Sequence, residues 1–166
     1  MAGAVASGAA LTAVLGSLEA SSVGLWVREG PWTYGLVNTT HVLGVAALFG
    51  AVAVLDLRLM GLWRDVPTAV LAGPCTRVAG AGLAVALFSG VLLLTAQATE
   101  YQYNPVFWIK LGAVALAVTN LALLHRSSAW KARAERAPGR RLAWAGGMSI
   151  ALWAASISAG RLIAYW

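Results

Sequence analysis

The sequence predicts an all-α integral membrane protein: a four-helix transmembrane bundle preceded by an N-terminal interfacial amphipathic helix. Three observations carry this prediction. Hydrophobic residues make up 60% of the chain and charged residues only 11%, against about 25% charged in a typical soluble protein. Four apolar stretches are long enough to cross a hydrocarbon core of roughly 30 Å, which takes about 20 helical residues. Lys and Arg collect in two of the segments between those stretches, and that asymmetry sets orientation in a membrane.

Residues 1–35 form the N-terminal segment and residues 36–166 the transmembrane domain. In the first, Leu11, Val14, Leu15, Leu18, Ser22 and Leu25 fall at helical spacing, with Ser17, Glu19, Ser21 and Arg28 largely opposite. This pattern reads as a helix lying on the membrane surface and stopped by Gly30-Pro31. A fifth span carrying Glu19 is the competing reading. A cleaved signal peptide is disfavoured, because no cationic stretch precedes the apolar run. Span one covers 36–55, polar only near its start at Asn38, Thr39, Thr40 and His41. Span two covers 78–98, after Pro74. Span three covers 106–124 and opens on Asn104-Pro105, a favourable helix start because the missing N–H of proline costs nothing in a first turn. Span four covers 142–164, after Pro138-Gly139-Arg140-Arg141.

Arg58, Arg64 and Arg77 follow span one; Arg126, Lys131, Arg133, Arg136, Arg140 and Arg141 follow span three. By the positive-inside rule these segments face the cytoplasm. The expected location is therefore a bacterial cytoplasmic (inner) membrane, with both termini periplasmic. Trp26, Trp32, Tyr34, Tyr101, Tyr103, Tyr165 and Trp166 then form an aromatic belt at the outer interface. The lipid bilayer is the first expected partner. Nucleic acid is excluded as one: the positive charge is broken up by apolar spans, and no basic stripe with interleaved aromatics exists. One cysteine, Cys75, rules out an intrachain disulfide.

Ionisable groups inside spans are expensive and are the first places to seek function. Spans one and three run in the same direction, so similar offsets mean similar depths. His41 and Lys110 both fall roughly 6–8 Å below the outer edge at about 1.5 Å per residue. Arg161, late in the antiparallel span four, reaches the same layer. No Asp or Glu belongs to that layer by sequence; Glu100, in the outer loop, is the nearest acid. An anionic ligand would supply the missing counter-charge. Haem b is a candidate cofactor, since imidazole is a common axial ligand and the propionates are anionic. His41 would then be the metal ligand and cofactor contact, with Lys110 and Arg161 near the propionates. The competing reading has Lys110 and Arg161 reaching to lipid headgroups while His41 bonds a neighbouring helix.

The other polar groups point to structure. His125 lies about twenty Å or more from His41 in depth, so the two cannot share one iron. Asp56 and Arg58 close span one, Asp56 expected to meet a loop arginine and Arg58 the headgroups. Asn120 is expected to bond across helices, and Gly44, Gly80, Gly82, Gly90, Gly146 and Gly147 to permit close helix approach. Phosphate loops, dinucleotide fingerprints and zinc or calcium motifs do not occur.

The run His41-Val-Leu-Gly44…Phe49-Gly50…Leu55-Asp-Leu-Arg58-Leu resembles the first span of small bacterial membrane proteins that include the CopD-like proteins and the HemJ-type protoporphyrinogen oxidases. Asn104-Pro-Val-Phe107-Trp108-Ile-Lys110-Leu111 is similar to their third span. The HemJ-type resemblance implies a haem b ligand at His41 and a required lysine at Lys110. Across nearly its full length the chain resembles a CopD-like family of four-span proteins without an assigned activity. The residues carrying that likeness are Leu18-Glu19-Ala-Ser21, Trp26-Val-Arg28, Asp56-Leu-Arg58-Leu and Gly160-Arg161-Leu-Ile-Ala-Tyr165. Two functions follow as expectations. One is haem b binding in the outer leaflet, serving electron transfer or oxidoreduction with a membrane redox partner. The other is a non-enzymatic subunit or scaffold that forms a homo-oligomer through glycine-rich faces. Copper transport, the association of the CopD name, finds few soft ligands in these spans. Whether the protein is an enzyme stays open at this point.

Overall fold

The computed structural model describes residues 2–132 and 139–165. Arg133, Arg136 and Pro138 of the basic loop, and Trp166 of the aromatic belt, lie outside the described residues. The helices are α1 (Ala2–Glu19), α2 (Ser22–Glu29), α3 (Thr33–Leu59), α4 (Thr68–Ala96), α5 (Ala98–Tyr101), α6 (Pro105–Arg126), α7 (Ser128–Lys131) and α8 (Arg140–Leu162), with a closing 3₁₀ turn at Ile163–Tyr165. Four of them, α3, α4, α6 and α8 with its turn, are long and apolar enough to cross a membrane. The protein is an all-α, multi-pass membrane protein.

The spans pack in the order α4–α3–α8–α6. The α3–α4 and α6–α8 pairs are intimate and α3–α8 joins them, whereas α4 and α6 scarcely touch. A groove therefore runs between α4 and α6. The tight pairs depend on small residues, because a lipid-embedded bundle gains from close backbone contact. A Cβ on Gly82 would come within 2.5 Å of Leu48 N and 2.7 Å of Gly44 O; one on Gly44 would sit 2.9 Å from Ala86 N; one on Gly146 would sit 3.0 Å from Asp56 O. Gly80, by contrast, faces open space.

Several expectations need correction. Span two begins ten residues earlier than predicted, at Thr68, with Pro74 inside the helix. A proline removes a single hydrogen bond, and within a bundle neighbouring groups make that tolerable. The N-terminal segment is two helices rather than one. Ser21 breaks the run by accepting a hydrogen bond from Gly24 N as the N-cap of α2, and the two helices meet at 63°. Leu11, Val14 and Leu18 of α1 are exposed on the surface of the protein. Taken together, α1 and α2 also have the length and hydropathy of a span, broken at this bend.

Arg58 does not reach for headgroups. It is buried, with 6% of its surface exposed, and its guanidinium donates to the carbonyls of Val66 (2.6 Å) and Arg64 (3.3 Å). Asp56 meets no arginine among the described residues; Ser149 of α8 lies beside it. The expectation for Asn120 holds, with Nδ2 donating to Ala145 O across α6 and α8 at 3.0 Å.

Glu19 is not on a solvated face either. Its carboxylate accepts from Thr99 N (2.9 Å) and from the Thr99 hydroxyl, capping the first turn of α5. This contact fastens α1 to the short helix that walls the functional cleft. Removing it in Glu19→Ala is expected to cost about 1–2 kcal/mol, the lower range for bonds to a charged acceptor that is partly exposed. Faster amide exchange at residues 99–101, with the spans still protected, is the measurement that checks this.

Candidate functional site

A cleft of about 780 Å³ opens between α3, α4, α5, α6 and α8, at the end of the bundle where α3 begins. His41, Lys110 and Arg161 all line it. Depth matching selected these three from sequence, and the fold brings them to one cavity. Its volume lies within the ~300–1,000 Å³ typical of small-molecule sites.

His41 is half-buried and faces α4. Its Nδ1 is 2.9 Å from Ala86 O and 3.1 Å from Ser89 Oγ. A carbonyl can only accept, so Nδ1 must carry the proton. Ser89 agrees with this assignment: its own hydroxyl proton goes to Val85 O at 2.6 Å, leaving its oxygen free to accept. In the neutral ring, Nε2 is then the unprotonated nitrogen. Gly90 makes the ring position available, since a Cβ there would lie 3.2 Å from His41 Cε1.

Lys110 crosses the cleft toward α8, where a Cβ on Gly160 would meet its Cε and Nζ at 3.5 Å. Its ammonium is near enough to act electrostatically on His41. Among the described residues it has no hydrogen-bond or ion-pair partner. Arg161 donates from Nη2 to Tyr165 OH at 3.0 Å, with its guanidinium carbon 5.3 Å from the centre of that ring. It stays exposed at the rim.

The cleft is not free of acid, as the sequence suggested. The short α5 turns Glu100 into its wall, so two cations face one carboxylate. Tyr101, on the same turn, stacks on Phe107 with ring centres 5.2 Å apart. Burial pushes its phenol up from the usual value of 10, and Tyr34 and Glu100 add to the effect. It is therefore a neutral hydrogen-bonding group at pH 7. Asn104 sets the start of α6 by accepting from Val106 N and Phe107 N, and its own amide donates to Ile163 O at 3.4 Å. That pair of contacts holds the Lys110 and Arg161 helices in register at the cleft.

Sequence reasoning passed over Ser89. A hydroxyl in mid-span was the available signal, but a serine bonded back to its own helix is common in apolar segments, so it drew no notice. Glu100 was placed in a loop because a four-residue helix has no periodicity to detect.

Among known families, the model of a family of unknown function (DUF6644) matches residues 10–166. The chain belongs to the DUF6644 family. No curated protein and no solved structure matches it. The DUF6644 match includes every span and all of the cleft residues named above.

Proposed function

We propose that the cleft binds haem b, which His41 would hold through Nε2, with Lys110 and Arg161 available to the propionates. The supporting observation is the state of the imidazole. A histidine that ligates a metal through one nitrogen characteristically donates from the other to a carbonyl or similar acceptor, which fixes the tautomer and orients the ring. His41 has that arrangement. The donor set also fits. Among the described residues no group of three or more His, Cys, Asp or Glu could hold a bare metal ion, so a metal here requires a ring that brings its own nitrogens. The two cations, against the single carboxylate of Glu100, leave the cleft a surplus of positive charge for an anionic ligand.

The likeness to CopD-like and HemJ-type proteins supports the same pair, His41 and Lys110. When bound, haem iron supplies one-electron transfer. The chain's own residues would orient the imidazole, neutralise the propionates and cover the site with the aromatic groups of α5 and α6. The positive-inside rule supports a cleft in the outer half of the membrane; in a bacterial cytoplasmic membrane, as we propose, that is the periplasmic half, where it would exchange electrons with a membrane partner.

Purified protein titrated with haem b is expected to give a Soret band that shifts on reduction with dithionite. His41→Ala should lose it. Gly90→Val, which pushes the ring off its site, should weaken haem binding at least tenfold, and Lys110→Met should do so by a similar factor. Absence of the band, or a band that survives His41→Ala unchanged, overturns the proposal and favours a scaffold role.

A further inference from the structure

A second cavity, of about 340 Å³, lies in the same groove nearer the arginine-rich end. It shares no lining residue with the cleft. All four spans contribute to its walls, and most of the lining is apolar, with Leu48, Val52, Leu83 and Trp153 prominent.

Its polar groups have a common character. Thr76, Asn120 and His125 each spend a proton within the protein, and the Ser149 hydroxyl lies beside Asp56. The Thr76 hydroxyl donates to Ala72 O, and Asn120 Nδ2 to Ala145 O. His125 Nδ1 is 2.9 Å from Leu121 O, which can only accept, so Nδ1 donates and in the neutral ring Nε2 is an acceptor. Asp56 is 4% exposed, and its Oδ2 has no hydrogen-bond partner among the described residues. A buried acceptor without a partner costs about 1–3 kcal/mol, more when charged, so its presence on a cavity wall marks a place where something else donates. Among the described residues, the acceptors left without a partner include Asp56 Oδ2 on α3 and, on α6, Asn120 Oδ1 and His125 Nε2. These two helices share few close backbone contacts and face each other across the cavity. One ligand serving both must carry donors at two ends of an apolar body.

We propose that this cavity binds a hydroquinone, with one phenolic hydroxyl donating to Asp56 Oδ2 and the other to the acceptors of α6. A phenol is a strong donor, the ring matches the apolar walls, and the molecule dissolves in the bilayer into which the groove faces. The assignment does not depend on what the other cleft holds.

The test uses the full-length protein in detergent under anaerobic conditions. Trimethylhydroquinone and its dimethyl ether, which keeps the ring but lacks both donors, are titrated against tryptophan fluorescence, for which Trp153 is a reporter in the wall. The hydroquinone is expected to bind saturably and at least ten times more tightly than the ether. Asp56→Leu should erase that difference. Should Asp56→Leu fail to fold, Gly80→Leu serves instead, since a Cβ at Gly80 meets nothing within 4 Å and the added side chain fills the cavity. It should abolish binding of the hydroquinone while leaving the unfolding midpoint in place. Equal affinity for the two probes, a tenfold preference for the hydroquinone that survives Asp56→Leu, or hydroquinone binding that survives Gly80→Leu, overturns the proposal.

Discussion

Gly82→Val is expected to prevent the α3–α4 pair from assembling. The first added carbon would meet Leu48 N at 2.5 Å, Gly44 O at 2.7 Å and Leu48 Cα at 3.0 Å. All three are backbone atoms, so no side-chain rotation relieves the overlap and the helices must separate. Overpacking typically costs about 1–3 kcal/mol; a clash with backbone on both sides of the contact belongs at or above the top of that range. Separation would also remove Ala86 and Ser89 from His41, so haem binding should fall together with stability. Thermal unfolding of the purified variant is the direct measurement. Gly80→Val is the control: it lies two residues away on a face where an added carbon finds open space, and its midpoint should match that of the parent.

Arg58→Leu is expected to destabilise by about 3 kcal/mol. The guanidinium is buried and makes two hydrogen bonds to carbonyls of the loop before α4, each worth about 1.5–3 kcal/mol when the donor is charged. That loop needs holding, because Gly61 (φ +107°) and Trp63 (φ +48°) both adopt left-handed backbone, which a tryptophan does at a cost. Arg58→Lys should recover less than half of the loss, since an ammonium lacks the fork that reaches Val66 and Arg64 together. Chemical unfolding measures the loss. Limited proteolysis should place new cleavage at residues 61–66 in the leucine variant.

The spans and their polar layer were legible in the sequence because both rest on simple physics. Apolar length demands a helix in lipid, and equal offsets along helices running the same way mean equal depth. That is why His41, Lys110 and Arg161 could be grouped before any coordinates. Asn104-Pro105 likewise marked the start of α6 correctly. Several of the failures share a cause: they concerned the partner that a polar side chain finds in the fold. Glu19 looked solvated and is instead the cap of a helix eighty residues away. Arg58 looked interfacial and instead ties down its own loop. Asp56 was assigned an arginine and has Ser149 beside it. Periodicity locates a residue on its own helix and is silent about the partner opposite, so capping contacts and buried donors had to come from the structure.

The order of the spans sets the route by which a ligand arrives. With its two outer members apart, the bundle is a trough with one side missing, and in a bilayer acyl chains would supply the missing wall. A lipophilic ligand of the kind proposed above would slide in from the side without first being stripped of water, at a rate that follows its partitioning into the bilayer. Changing the width or order of the surrounding lipid would thus tune occupancy of the trough without touching a single residue inside it.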